Sequence, residues 1–132
     1  MKNIVAMAAN YSYIRQVETT IKSLLDHNSR VKIYLMNSDI PSEWFQIINA
    51  KLNVIGSKIV DKKVSPYILA EEHVSQAHID VIASARFFIP ELIREDTVVY
   101  LDSDVIVTDS LQKLFNLGFQ KDECKQSVTT RY

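Results

Sequence analysis

Glycine is scarce in this chain: 132 residues contain two, Gly56 and Gly118, far apart. Neither a G-x-G-x-x-G turn nor a Walker-type loop can be written. Any phosphate bound here must therefore be held by side chains and metal, not by a glycine-rich backbone cradle. Cysteine is scarcer still. Cys124 stands alone, has no partner for an internal disulfide, and fits a reducing compartment. A basic excess is missing as well. The formal net charge is -1, and no basic run is interleaved with aromatics, so neither nucleic acid nor an anionic membrane is an expected partner. The N-terminal apolar run, residues 4–9, is too short for a signal-peptide core or a bilayer span. These absences predict a soluble, cytoplasmic protein.

What is present reads as one globular domain. Apolar residues make up 47% and charged residues 23%, a composition that buries a core and argues against disorder. NIVAMAA (3–9) predicts a buried strand ended by the polar turn NYSY (10–13). Ile14, Val17, Ile21, Leu24 and Leu25 recur at helical spacing and predict a helix to about His27. VKIYLMN (31–37) predicts the next strand. A helix follows from Pro41 to about Ala50, with Pro41 at its first position after Asp39. NVIGSKIV (53–60) predicts a third strand, and 61–77 reads as irregular. An apolar helix spans 78–93, with Pro90 bending or ending it. TVVYL (97–101) and VIV (105–107) read as strands, and LQKLFNL as a short helix capped by Asp109 or Ser110. Strand–helix alternation of this kind predicts an α/β fold with a mainly parallel sheet flanked by helices. The expected division is a domain over 1–117 and an irregular tail over 118–132.

Three groups of residues bear on chemistry. Asp102 and Asp104 lie one residue apart where a strand leaves the core. In extended backbone alternate side chains point the same way, so both carboxylates can meet one hard cation such as Mg²⁺ or Mn²⁺. A solvated acidic turn is the ordinary alternative. An EF-hand is excluded, because Ile106 fills the fifth loop position and the central glycine is missing. Arg86 sits in VIASARFFIPELI, apolar almost all round, and a guanidinium there needs an anion: Glu91 or an aspartate structurally, a diphosphate functionally. Asn10, Tyr11 and Tyr13 follow the first strand and suit stacking and hydrogen bonding to a base, or an ordinary turn. His27, His73 and His78 show no metal-binding spacing.

Strand–NYSY, the SARFF helix and VVYLDSDVIVTDSLQKLF together resemble glycosyltransferase family 8 from Lys2 to about Leu117. The resemblance implies a GT-A-type nucleotide-sugar domain and retaining transfer of a hexose, glucose or galactose, from a UDP-sugar to a glycan or glycoprotein. Mn²⁺ or Mg²⁺ is the implied cofactor. Residue by residue, it assigns metal binding to Asp102 and Asp104 and donor contacts to Ala8, Asn10, Tyr11, Tyr13 and Ser103. Arg86 becomes both a donor contact and the catalytic electrostatic group. His78 and Asp80 fall in the segment before Arg86. Ala8 and Ala9 depart from the aspartate that many relatives carry there, and Ser84 from a tyrosine. The family's second half, which brings a histidine metal ligand and the acceptor site, is not in this sequence. Two alternatives follow: a binding-only fragment, prone to self-association through an exposed sheet edge, or a DxD phosphohydrolase. Against the second, Ile106 replaces the usual Thr or Val, and the motif comes late in the fold.

Overall fold

The computed structural model describes residues 3–64, 93 and 97–116. The described strands are β1 (Asn3–Ala8), β2 (Val31–Asn37), β3 (Lys58–Lys63) and β4 (Val99–Tyr100). The helices are α1 (Ile14–His27), α2 (Ser42–Leu52) and α3 (Gln112–Phe115), with 3₁₀ turns at Tyr11–Tyr13 and Asn53–Ile55. The strands form one parallel sheet in the order β3-β2-β1-β4. Register runs from Asn3 opposite Val31 to Ala8 opposite Met36, with Val5 and Ala6 opposite Val99 and Tyr100.

β1 and β2 read as continuous apolar runs because both sheet faces are buried. Alternate residues serve opposite faces. Val5 and Met7 join Ile33 and Leu35 in a core completed by Val17, Ile21 and Leu24 of α1 and by Phe45 and Leu52 of α2. Ile4, Ala6 and Ala8 join Tyr34, Met36, Ile93, Val98 and Tyr100 on the other face. α1 and α2 share one face because two consecutive crossovers of the same hand step across the sheet in one direction.

Several boundaries differ from the sequence expectation. α2 continues to Leu52, and a 3₁₀ turn takes Asn53–Ile55, so β3 begins at Lys58 and includes residues expected to be irregular. Gly56 ends that helical run with φ +77, a left-handed conformation that glycine adopts without penalty. The Ser57 N–H then donates to the Leu52 carbonyl at 3.0 Å. Pro41 is the N-cap of α2 rather than its first residue. Residues 105–107 are not a strand: among the described residues no sheet ladder includes them, and side chains of α1 bond the Val105 carbonyl and the Val107 N–H. The N-cap of α3 is Leu111, without a side-chain cap hydrogen bond, and not the expected Asp109 or Ser110; the Ser110 hydroxyl, one residue earlier, accepts the Gln112 N–H at 3.1 Å. The expected helix over 78–93 and the tail over 118–132 lie outside the described residues, apart from the buried Ile93.

Candidate functional site

In an open parallel sheet, ligands bind beyond the carboxyl ends of the strands where the strand order reverses. Here that point lies between β1 and β4, since β2 follows on one side of β1 and β4 returns on the other. Asn10 to Tyr13 leave β1 there, and Asp102 to Asp104 leave β4. The two exits are held in place: the Ala9 N–H donates to the Met36 carbonyl at 3.1 Å and the Leu101 N–H to the Ala6 carbonyl at 2.9 Å.

The β1 exit is an ordered turn. The Tyr11 N–H donates to Asp39 Oδ1 at 2.9 Å, and the Tyr13 N–H to the Asn10 carbonyl at 3.1 Å. The Ser12 hydroxyl donates to Asn10 Oδ1. The side chains of Tyr11 and Tyr13 are 47% and 44% exposed, well above what a core aromatic shows. Ala8 is buried in the second-face cluster, so it can meet a ligand only through its backbone.

The β4 exit is held by α1. Thr20, fully buried, directs its hydroxyl at the carbonyls of Ser103 (3.0 Å) and Val105 (2.7 Å). The Val107 N–H donates to Ser23 Oγ at 2.9 Å and the Leu111 N–H to Asn28 Oδ1 at 2.8 Å. Asp102 and Ser103 are half-buried, and Asp104 is exposed. Asp104 lines a hollow of about 460 Å³ together with Ser12, Arg15, Thr19 and Ile106. The hollow touches each exit through one residue, Ser12 and Asp104; Asn10, Tyr11, Tyr13, Asp102 and Ser103 do not line it. Residues 103–104 form a turn rather than the extended backbone expected to point both carboxylates the same way. Arg86, His78 and Asp80 lie outside the described residues.

Sequence reasoning missed Asp39, Thr20 and Ser23. A signal for Thr20 existed, because it falls three residues after Val17 on the buried stripe of α1, where a hydroxyl needs a partner. Among the described residues no group of three or more His, Cys, Asp or Glu side chains could hold a metal. Two carboxylates nevertheless suit Mg²⁺ or Mn²⁺, which commonly take one or two protein carboxylates and complete their shell with water and substrate phosphate. The donor chemistry fits.

A parallel sheet in this order, with polar residues gathered at its switch point, belongs to the open α/β class of folds. Residues 4–132 match the family described as glycosyl transferase family 8. The chain is 46% identical over 117 residues to glycosyltransferase GlyE of Streptococcus pneumoniae serotype 4 (strain ATCC BAA-334 / TIGR4), covering 88% of this chain and 29% of GlyE. Glycosyltransferase GlyD of the same strain is 44% identical over 121 residues, covering 92% of this chain and 15% of GlyD. The apo crystal structure of GlyE superposes with a TM-score of 0.74 at 43% identity, over 92% of this chain and 28% of that one. Galactosyltransferase LgtC, in complex with donor and acceptor sugar analogues, gives 0.72 at 26% identity over 86% of this chain and 42% of that one. This chain belongs to glycosyl transferase family 8. Its fold is the expected GT-A-type α/β architecture, with a parallel sheet flanked by helices. It spans less than a third of the length of the GlyE and GlyD relatives. Among the described residues no helix is long and apolar enough to cross a membrane.

Proposed function

We propose that this chain carries the donor-binding machinery of a metal-dependent hexosyltransferase, which moves glucose or galactose from a UDP-sugar to a glycan or glycoprotein with retention. The observation that carries the reading is the meeting, at one switch point, of the Asn10–Tyr13 turn and the Asp102–Asp104 turn. Tyr11 and Tyr13 offer exposed rings for the uracil, and the Asn10 amide offers it a donor. Ser103 would meet the ribose through its backbone. Asp102 and Asp104 would hold Mn²⁺ or Mg²⁺, and such an ion, when bound, neutralises the charge that builds on the departing diphosphate. Arg86 adds a planar guanidinium suited to the same diphosphate. Domain limits of 1–117, a cytoplasmic location and self-association through a sheet edge belong to the same reading. Behind them stand the sequence pattern and the general tendency of sheet edges to pair.

Titration calorimetry tests it. UDP should bind more tightly with Mn²⁺ than without, and Asp104→Asn should abolish most of that gain, by at least about tenfold, since even indirect partners of metal ligands are worth about 10–100-fold. Equal affinity with and without metal, in both proteins, would overturn the proposal. Radiolabelled UDP-glucose and UDP-galactose then separate transfer from binding without turnover.

A further inference from the structure

We propose that Thr20 is a positioning residue for the metal-binding turn, an inference that rests on the donor-site reading above. Thr20 is far in sequence from Asp102 and Asp104, and it lies on α1 rather than on either exit loop. Its side chain is fully buried, and its single hydroxyl proton is shared between the carbonyl oxygens of Ser103 and Val105. Those two carbonyls flank Asp104 in the chain. Among the described residues, 103–107 have no strand partner, and the bonds from α1 are what holds their backbone there. The Ser103 carbonyl belongs to the peptide plane that enters Asp104, and the Val105 carbonyl to the plane one beyond the peptide that leaves it. One hydroxyl thus brackets Asp104, which lines the hollow that also touches Ser12. Metal ligands depend on groups of this kind, and losing one typically costs about 10–100-fold in metal affinity.

Three variants of the full chain test the assignment. Thr20→Val keeps the branched shape and removes the hydroxyl. Thr20→Ser keeps the hydroxyl. Ser23→Ala removes the neighbouring bond to the Val107 N–H, one turn further from Asp104. Mn²⁺ affinity in the presence of UDP is read by titration, and affinity for uridine without metal is read alongside. Thr20→Val should lose about tenfold or more in Mn²⁺ affinity while its uridine affinity stays at the wild-type value. Thr20→Ser should restore the Mn²⁺ affinity, and Ser23→Ala, whose lost bond to the Val107 N–H lies further from Asp104, should lose less of it than Thr20→Val does. A merely structural hydroxyl would instead lower thermal stability in Thr20→Val and Ser23→Ala alike without separating metal from uridine. Wild-type Mn²⁺ affinity in folded Thr20→Val overturns the proposal. Loss of Mn²⁺ affinity in Thr20→Ser overturns it too, whether or not Thr20→Val folds. A wild-type chain whose UDP binding ignores Mn²⁺ takes down the donor-site reading itself, and this inference with it.

Discussion

Replacing Asn37 with alanine should destabilise the protein by about 2–4 kcal/mol, although the substitution touches no proposed ligand contact. Asn37 closes β2 and is fully buried. Its Nδ2 amide donates to the Leu35 carbonyl at 3.0 Å and to Asp61 Oδ1 at 2.9 Å. Its Oδ1 accepts the Ile40 N–H at 3.1 Å and the Lys63 ammonium. The partners do not suffer equally when the amide goes. Asp61 and Lys63 form an ion pair at 3.3 Å with side chains 26% and 50% exposed, so water and each other can replace what they lose. The Ile40 N–H cannot be rescued in that way, because Ile40 is 1% exposed. An abandoned buried donor costs about 1–3 kcal/mol, and the emptied amide volume adds to that. For a chain of this size the total corresponds to a fall in Tm of roughly 8–16 °C. Thermal unfolding followed by circular dichroism measures it. The same change should loosen residues 38–40, which carry the Asp39 carboxylate that holds the Tyr11 N–H. A fall in Tm below about 3 °C would mean that the Ile40 N–H finds another acceptor and that the network is not what fixes this corner.

Gly56→Ala should cost about 1 kcal/mol, read as a shift of the urea midpoint with an unchanged slope. An added Cβ meets only Arg30 Cγ at 3.6 Å, so the cost is that of the left-handed backbone and not of a clash. Arg86→Lys keeps the charge and loses the planar fork, so UDP affinity should fall while the unfolding temperature holds. A collapse of stability with unchanged affinity in the folded fraction would assign Arg86 to a structural ion pair instead.

The sheet was legible in the sequence because burial on both faces leaves strands as unbroken apolar runs, and NIVAMA and VKIYLMN are such runs. α1 was legible for a related reason: Val17, Ile21 and Leu24 mark one stripe. NVIGSKIV misled because Val54 and Ile55 look like strand residues, yet they are 84% and 53% exposed in a 3₁₀ turn. Apolar identity there reports no burial. Residues 105–107 misled in the opposite way. Val105 and Val107 are buried as strand residues would be, but their backbone bonds go to Thr20 and Ser23 rather than to a neighbouring strand. The polar holds at Thr20, Asn37 and Asp39 escaped notice because each depends on a partner brought close only by folding. Periodicity carries no information about such pairs. Asp102 and Asp104 were conspicuous because two carboxylates one residue apart directly follow an apolar run.

The central place of β1 also orders events in time as the chain is made. Its partner in β2 is a near neighbour along the chain, and one crossover helix lets the β1–α1–β2 unit form from local contacts. Its partner in β4 arrives much later: Val5 waits for Val99. At a synthesis rate of about 5–20 residues per second, that wait is roughly 5–20 s. Throughout it, the tyrosine turn has emerged from the ribosome and the paired aspartates have not. The flank of β1 reserved for β4 stays open over the same interval, a row of backbone groups that any other extended segment can occupy. Slow passage through residues 65–97 would lengthen this window, and chaperone dependence should rise with it.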